Sequence, residues 1–227
     1  MQRRWTRAQM KTRIRIDKSS ILKKTAMMAD GQVTKYDCIK VQSENDIFRC
    51  DSYTYLSWDD FEAVPTMDEL VGAAIVSYMM VLFNKIKYGP PERDHGICFV
   101  NPTVILTSTR KGKYKNIDDA SRGVADRRHW VLGALDMKSD TCYYLDSLSS
   151  DNFNMQLKQI FDSTMCPVQP GSTECRYYML KLMKEIVEEG IEVLVKDNFG
   201  GGTVEYTDDD IDDIREEWSE YVTNFIY

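Results

Sequence analysis

The stretch Cys166-Pro167-Val168-Gln169-Pro170-Gly171-Ser172-Thr173-Glu174-Cys175 runs directly into a helical pattern, in which Met179, Leu182, Met183 and Ile186 share one face until Gly190 stops it. Cys175 falls on that same stripe, so it faces inward at the helix N-terminus. A thiol placed there feels the positive end of the helix dipole, which stabilises thiolate and lowers its pKa. Its backbone N–H leaves the helix start without an intrahelical acceptor and is available to an oxyanion. Gln169, six residues earlier, offers a second donor through its side-chain amide. Taken alone, a buried cysteine is more simply explained by packing.

Upstream, Trp130 to Leu135 and Thr141 to Leu145 are apolar or aromatic runs separated by Met137-Lys138-Ser139-Asp140, the signature of a hairpin. A turn centred at Met137–Lys138 places residue 131 opposite 144, 133 opposite 142 and 129 opposite 146. Directly opposed residues share a face with Cβ atoms about 5 Å apart. Asp146 then holds the His129 imidazole in one tautomer and orientation, as the acid of a nucleophilic triad does. A surface ion pair at the open end of the hairpin is the plainer alternative.

Other elements frame these two. Thr66-x-x-Glu69 reads as a capping box opening a helix whose Leu70, Val71, Ala74, Ile75, Tyr78, Leu82 and Ile86 keep one apolar stripe up to Gly89-Pro90-Pro91. Ile97 to Val100 reads as a short strand, and Lys111 to Asp126 as a polar surface connection. Gly200-Gly201-Gly202 marks a flexible turn before an acidic terminal helix, with Trp218, Tyr221, Val222 and Phe225 at helical spacing and a solvated acidic face. Helices around a hairpin-built sheet predict an α+β domain from about residue 45 to the end.

The chain has 227 residues, a formal charge of −7, a hydrophobic fraction of 43 % and 11 % aromatics, which is globular composition. Residues 1–24 carry nine basic side chains against Asp17 alone, a net +8 that leaves −15 on the rest. Such an arm fits nucleic-acid binding or nuclear import, and equally a solvated tail. Six cysteines, at 38, 50, 98, 142, 166 and 175, form no CxxC pair, and there are two histidines, so a zinc site is not expected. His95-x-x-Cys98 is the one ligand-like spacing, and nothing nearby completes it. No secretory signal is apparent, and the longest apolar run, Val71 to Phe83, is too short to span a bilayer. A protein of a reducing compartment with free thiols and no membrane partner is expected.

Together, His129-Trp130, Tyr144-Leu145-Asp146-Ser147-Leu148 and the run from Cys166 to Cys175 resemble the catalytic region of the SUMO-specific (ubiquitin-like-protein-specific) cysteine proteases, especially their plant transposon-associated relatives. Both spacings agree with that family: seventeen residues from His129 to Asp146 and six from Gln169 to Cys175. Leu56-Ser57-Trp58-Asp59-Asp60-Phe61 and Phe99-Val100-Asn101-Pro102 add to the likeness, which spans about residues 52 to 225.

The resemblance implies a papain-like, adenovirus-protease-like α+β fold with a central mixed sheet flanked by helices. It assigns residues 46–227 to a catalytic domain behind a basic extension, 1–45. It also implies His129 as general base and acid, Asp146 as its orienting partner, Cys175 as nucleophile, Gln169 as oxyanion donor, and Trp130 as a wall of a channel for a Gly-Gly tail. No cofactor or metal is implied; the expected partners are a ubiquitin-like protein or its conjugates, and the expected setting is a monomer in the nucleus or nucleo-cytoplasm. Two positions depart from the family. Arg176 stands where its members have glycine after the nucleophile, and Val64 to Leu70 lacks the tryptophan that closes the other side of the channel. These favour an alternative, a catalytically impaired module of the same fold that binds ubiquitin-like proteins.

Overall fold

A computed structural model describes residues 19–31, 38–91, 96–102, 130–148, 162–163, 165–171, 174–195, 199 and 204–225. The chain divides into two units, one of Met1–Lys85 with Asp208–Tyr227 and one of Ile86–Thr207. His129, His95, the Lys111–Asp126 connection, Gly200 to Gly202 and most of the basic arm lie outside the described residues.

In the first unit, residues 20–42 supply two elements that the basic composition of this end does not announce. They are helix α1 (Ser20–Gly31) and strand β1 (Cys38–Gln42). After the short helix α2 (Asn45–Phe48), strand β2 (Tyr53–Ser57) pairs antiparallel with β1 in the register Val41↔Thr54 and Ile39↔Leu56. Period-two alternation buries Val41, Thr54 and Leu56 on one face and exposes Lys40, Tyr53 and Tyr55 on the other.

Helix α3 (Trp58–Thr66) follows at once, and its capping box is Ser57 with Asp60. The Ser57 N–H and hydroxyl both donate to Asp60 Oδ2 at 2.7 Å. The box expected at Thr66 is therefore displaced: Thr66 closes α3 instead of opening the next helix. Its hydroxyl folds back onto the Glu62 carbonyl at 2.6 Å, because Thr66 sits in a last turn that Met67 ends in left-handed conformation at φ 57°. Helix α4 (Gly72–Lys87) then carries the expected stripe, with Ala74, Ile75, Tyr78 and Leu82 fully buried, whereas Val71 precedes it and is half exposed.

The acidic helix α7 (Asp208–Thr223) packs against α1 and α3. Trp218 is its anchor, 1 % exposed, with its ring 5.7 Å from that of Phe61 and its indole N–H donating to Ser77 Oγ at 2.7 Å. The acidic face is not wholly solvated as expected. Glu217 accepts from the Tyr78 hydroxyl at 2.8 Å and Lys85 Nζ at 2.6 Å. Arg215, at 1 % exposure, reaches the end of α3, where its guanidinium donates to the Val64 carbonyl at 2.9 Å, the Pro65 carbonyl and Asp212. Carbonyls of a helix's last turn have no intrahelical donor, and Arg215 supplies one from elsewhere.

The second unit is built on strands β3 (Leu132–Asp136) and β4 (Thr141–Leu145), with a two-residue strand β5 (Asp162–Ser163) parallel to β4. The hairpin is present, but its register is Leu132↔Leu145 and Gly133↔Tyr144. Each partner is shifted by two residues from the expected pairing, which keeps the faces and moves the position in line with Asp146 from 129 to 131. The cause is a four-residue turn in place of a two-residue one: Asp136 accepts the Lys138 N–H at 2.9 Å and the Ser139 hydroxyl at 2.6 Å, and Asp140 takes φ 53°. Ile97 to Val100, expected as a strand, has no strand assignment and no pairing among the described residues.

Helix α5 (Cys175–Glu189) packs on β3 and ends at Gly190, whose φ of 79° and N–H bond to the Ile186 carbonyl at 2.9 Å close it as expected. It is buried well beyond one stripe: Arg176, Tyr177, Tyr178, Leu180, Lys184 and Glu185 are covered as well as Met179 and Leu182. A short helix α6 (Glu192–Val195) follows.

Two outcomes test this account of the first unit. Arg215→Met removes the donor to the buried Pro65 carbonyl, the nearer donor to Val64 and the charge partner of Asp212, and should lower stability by about 2–4 kcal/mol in denaturant unfolding; a loss below about 0.5 kcal/mol would show that the guanidinium is dispensable. Burial raises the Asp60 pKa against the lowering bonds from Ser57, with the Asp59 charge raising it further. Between the ordinary and the raised value the folded chain binds more protons, so this group's contribution improves as pH falls through that window and worsens above it. Asp60→Asn cannot titrate, so its stability relative to wild type should decline from pH 7 to pH 4; a constant difference would contradict the raised pKa.

Candidate active site

Cys175 opens α5 and is 2 % exposed, so it lies inside the second unit at the start of its most buried helix. The residue before it, Glu174, takes helical dihedrals without capping the helix through its side chain. Its main-chain carbonyl accepts the Tyr178 N–H at 3.0 Å, which makes Cys175 the first helical residue. The Cys175 N–H is accordingly among the donors that a helix leaves without an internal acceptor.

The extended segment before the helix is pinned at two points. Val168 N–H donates to the Val204 carbonyl at 2.8 Å, and Gln169 N–H to the Ser147 carbonyl at 2.9 Å. The Gln169 side chain, 6 % exposed, is held at both ends: Oε1 accepts the Ser147 hydroxyl at 2.6 Å, and Nε2 donates to the Gly171 carbonyl at 2.6 Å. A carbonyl is an acceptor only, so the contact with Gly171 fixes which end of the amide is nitrogen. The Glu174 carboxylate closes over Gly171, with Oε2 2.6 Å from where a β-carbon would stand, so a side chain there would have to displace the Glu174 carboxylate.

Asp146 follows the end of β4. Its Oδ1 accepts the Leu148 N–H at 2.9 Å, the local turn that an Asx side chain makes, and the Tyr144 hydroxyl lies 3.4 Å from Oδ2. Burial first, then the neighbouring Asp146 carboxylate, pushes the Tyr144 phenol up to about 12. On the backbone side, Cys166 Sγ donates to the Asp146 carbonyl at 3.4 Å. Burial raises that thiol to about 11, with the Asp146 carboxylate adding to the effect and the hydrogen bond opposing it.

Trp130 precedes β3, and the Arg176 guanidinium stands 5.8 Å from the centre of its ring, a cation–π distance. Arg176 is 7 % exposed. The structure thus joins Asp146-Ser147 to Gln169, and Trp130 to the first turn of the helix that Cys175 begins. His129, next to Trp130, lies outside the described residues. Ser147 is the member that sequence reasoning missed, because one serine after an aspartate carries no distinguishing pattern. No group of three potential metal ligands occurs among the described residues, and no helix among them is long and apolar enough to cross a membrane.

No protein-family model matches the chain, and no curated protein matches it in sequence. Among solved structures, the SUMO protease Ulp1 with its catalytic cysteine oxidised to a sulfenic acid is similar with a TM-score of 0.56. The match covers 92 % of this chain and 96 % of that one, at 13 % identity. At a coarse level the fold matches that of Ulp1, while the described strands form a two-stranded and a three-stranded sheet in place of the implied central one. At that level the mixed helix-and-strand architecture with small sheets agrees with what the sequence resemblance implies.

The contrast among thiols provides a check on the site's geometry. A thiol raised from 9.0 to about 11 has about a hundredfold less thiolate at neutral pH. Under dilute iodoacetamide with mass-spectrometric readout, Cys166 should therefore alkylate far more slowly than the exposed Cys38, Cys50 and Cys98; equal rates would exclude its burial against Asp146.

Proposed function

We propose that the chain is a cysteine peptidase of the SUMO-protease type, cleaving after the C-terminal glycine of a ubiquitin-like protein. The observation that carries this reading is the placement of Gln169 and Cys175 on an Ulp1-like fold, with a rigidly held carboxamide just ahead of a helix that begins at a buried cysteine.

In the proposed reaction the Cys175 thiolate attacks the glycine carbonyl and forms a tetrahedral intermediate. Its oxyanion accepts from the Cys175 N–H and from the Gln169 Nε2–H that Gly171 leaves unused. His129, oriented by Asp146, takes the thiol proton and delivers it to the departing lysine amine; water, deprotonated by His129, then hydrolyses the thioester and restores the thiol. Trp130 lines the approach of the glycine tail. Nuclear or nucleo-cytoplasmic residence, action as a monomer, and kinship with transposon-associated proteases belong to the same proposal, as does nucleic-acid binding by the basic arm.

A ubiquitin-like protein carrying a C-terminal electrophile tests the reading directly. It should form a covalent adduct with the full chain, lost in Cys175→Ala and slowed more than about 10³-fold in His129→Ala. Failure of SUMO-type and other ubiquitin-like probes alike to label Cys175 would sink the peptidase reading.

One observation favours a second reading, a binding module with impaired catalysis: Arg176 is buried and its guanidinium faces Trp130. On that reading Arg176→Gly opens the path and restores labelling, whereas on the first it leaves wild-type labelling in place or weakens it through loss of a charge beside the thiol.

A further inference from the structure

Ser147 has no assigned task, yet it is 3 % exposed and makes two of the bonds that place Gln169. Its main-chain carbonyl takes the Gln169 N–H at 2.9 Å, and its hydroxyl donates to Gln169 Oε1 at 2.6 Å. The second bond matters more for chemistry. With Oε1 held by Ser147 and one Nε2–H donated to the Gly171 carbonyl at 2.6 Å, the carboxamide neither flips nor swings. Its remaining N–H is then aimed before any substrate arrives, and a donor that needs no reorganisation is what stabilises a developing charge. A hydroxyl donating to the amide oxygen also draws electron density towards that oxygen, which strengthens the opposite N–H as a donor.

Ser147 also follows Asp146 without a gap. The turn that Asp146 pins through the Leu148 N–H sets the backbone from which the Ser147 hydroxyl projects. The carboxylate proposed to orient the base and the hydroxyl that orients the amide thus hang on adjacent α-carbons. We propose that Ser147 is the positioning residue of the oxyanion donor, holding Gln169 in its working rotamer and coupling it to the Asp146 turn. This rests on the peptidase reading, with Gln169 touching the oxyanion and Ser147 acting only through it.

The experiment uses the full chain and a ubiquitin-like protein whose C-terminal glycine carries a fluorogenic amide, with kcat and KM measured separately. Removing an oxyanion donor costs about 10²–10³-fold in kcat, and Gln169→Ala should show that loss. Ser147→Ala should lower kcat by about 10-fold or more with KM within about twofold, and Ser147→Cys, a weaker donor of nearly the same size, should fall between it and wild type. The decisive variant is the double one: because Ser147 works through Gln169, Ser147→Ala with Gln169→Ala should be no slower than Gln169→Ala alone. Thermal unfolding of each variant, together with the iodoacetamide rate of Cys175, identifies a general loss of structure, which would depress every variant additively. Additive losses, or a silent Ser147→Ala beside a damaging Gln169→Ala, overturn the proposal and leave the peptidase reading standing. Absence of turnover in wild type, or a silent Gln169→Ala, overturns the reading beneath it and the proposal with it.

Discussion

Burying the start of a helix imposes a demand on whatever surrounds it, since the first N–H groups lack internal acceptors and the dipole places positive potential there. Helix α5 begins at Cys175, 2 % exposed, and Glu174 does not cap it through its side chain. The segment ahead of it cannot be a loose loop under those conditions. It is pinned through Val168 to Val204 and through Gln169 to Ser147. The polarity that makes a buried helix start costly is the same property that makes it suited to an anion or a thiolate.

The first unit meets a comparable demand at the end of α3. Pro65 near the end of α3 provides no N–H, and the carbonyls of the last turn need donors from elsewhere. Arg215 provides them from α7, in a helix whose other ionisable residues are nearly all acidic, and Asp212 balances its charge. A leucine would fill the volume but leave the Pro65 carbonyl without this donor and Val64 with only the Met67 N–H at 3.4 Å, which is why a buried cation is tolerable there. Trp218 and Ser77 repeat the pattern with an indole N–H, and Ser77 passes the bond on to the Ala74 carbonyl at 2.9 Å.

Elements with a clear period and a clear stop were legible in the sequence. Helix α5 has its stripe and Gly190, α4 has its stripe and Gly89-Pro90-Pro91, and the β3–β4 hairpin has two apolar runs around a polar turn. What failed depended on choices among similar local signals. Ser57-x-x-Asp60 and Thr66-x-x-Glu69 are both plausible capping boxes, and only the packing of Phe61 and Pro65 decides that the helix starts at the first. The hairpin register turned on whether Asp136 ends the strand or caps a longer turn, which no periodicity records. The start of α1 lay under the basic pattern of residues 1–24, and β1 in the stretch assigned to the extension, although Leu22 and Val41 are fully buried. The candidate site residues were proposed from residue type and spacing alone, because few residues do such chemistry. Ser147 was not, since its meaning lies in a bond to a residue twenty-two positions away.

Arg176 shows how closely a site's electrostatics and its sterics are tied. A guanidinium one residue after a cysteine at a helix start is, in general, a charge that favours thiolate, and here it is 7 % exposed. The group must nevertheless rest somewhere, and it rests at the ring of Trp130, where an aromatic face offers a weakly hydrated cation a favourable seat. That seat has a consequence for access. If Trp130 forms one wall of a glycine channel, the face that receives Arg176 is not the face that receives the substrate, or the two compete. A glycine at 176 would leave that face of Trp130 clear and remove the charge next to Cys175.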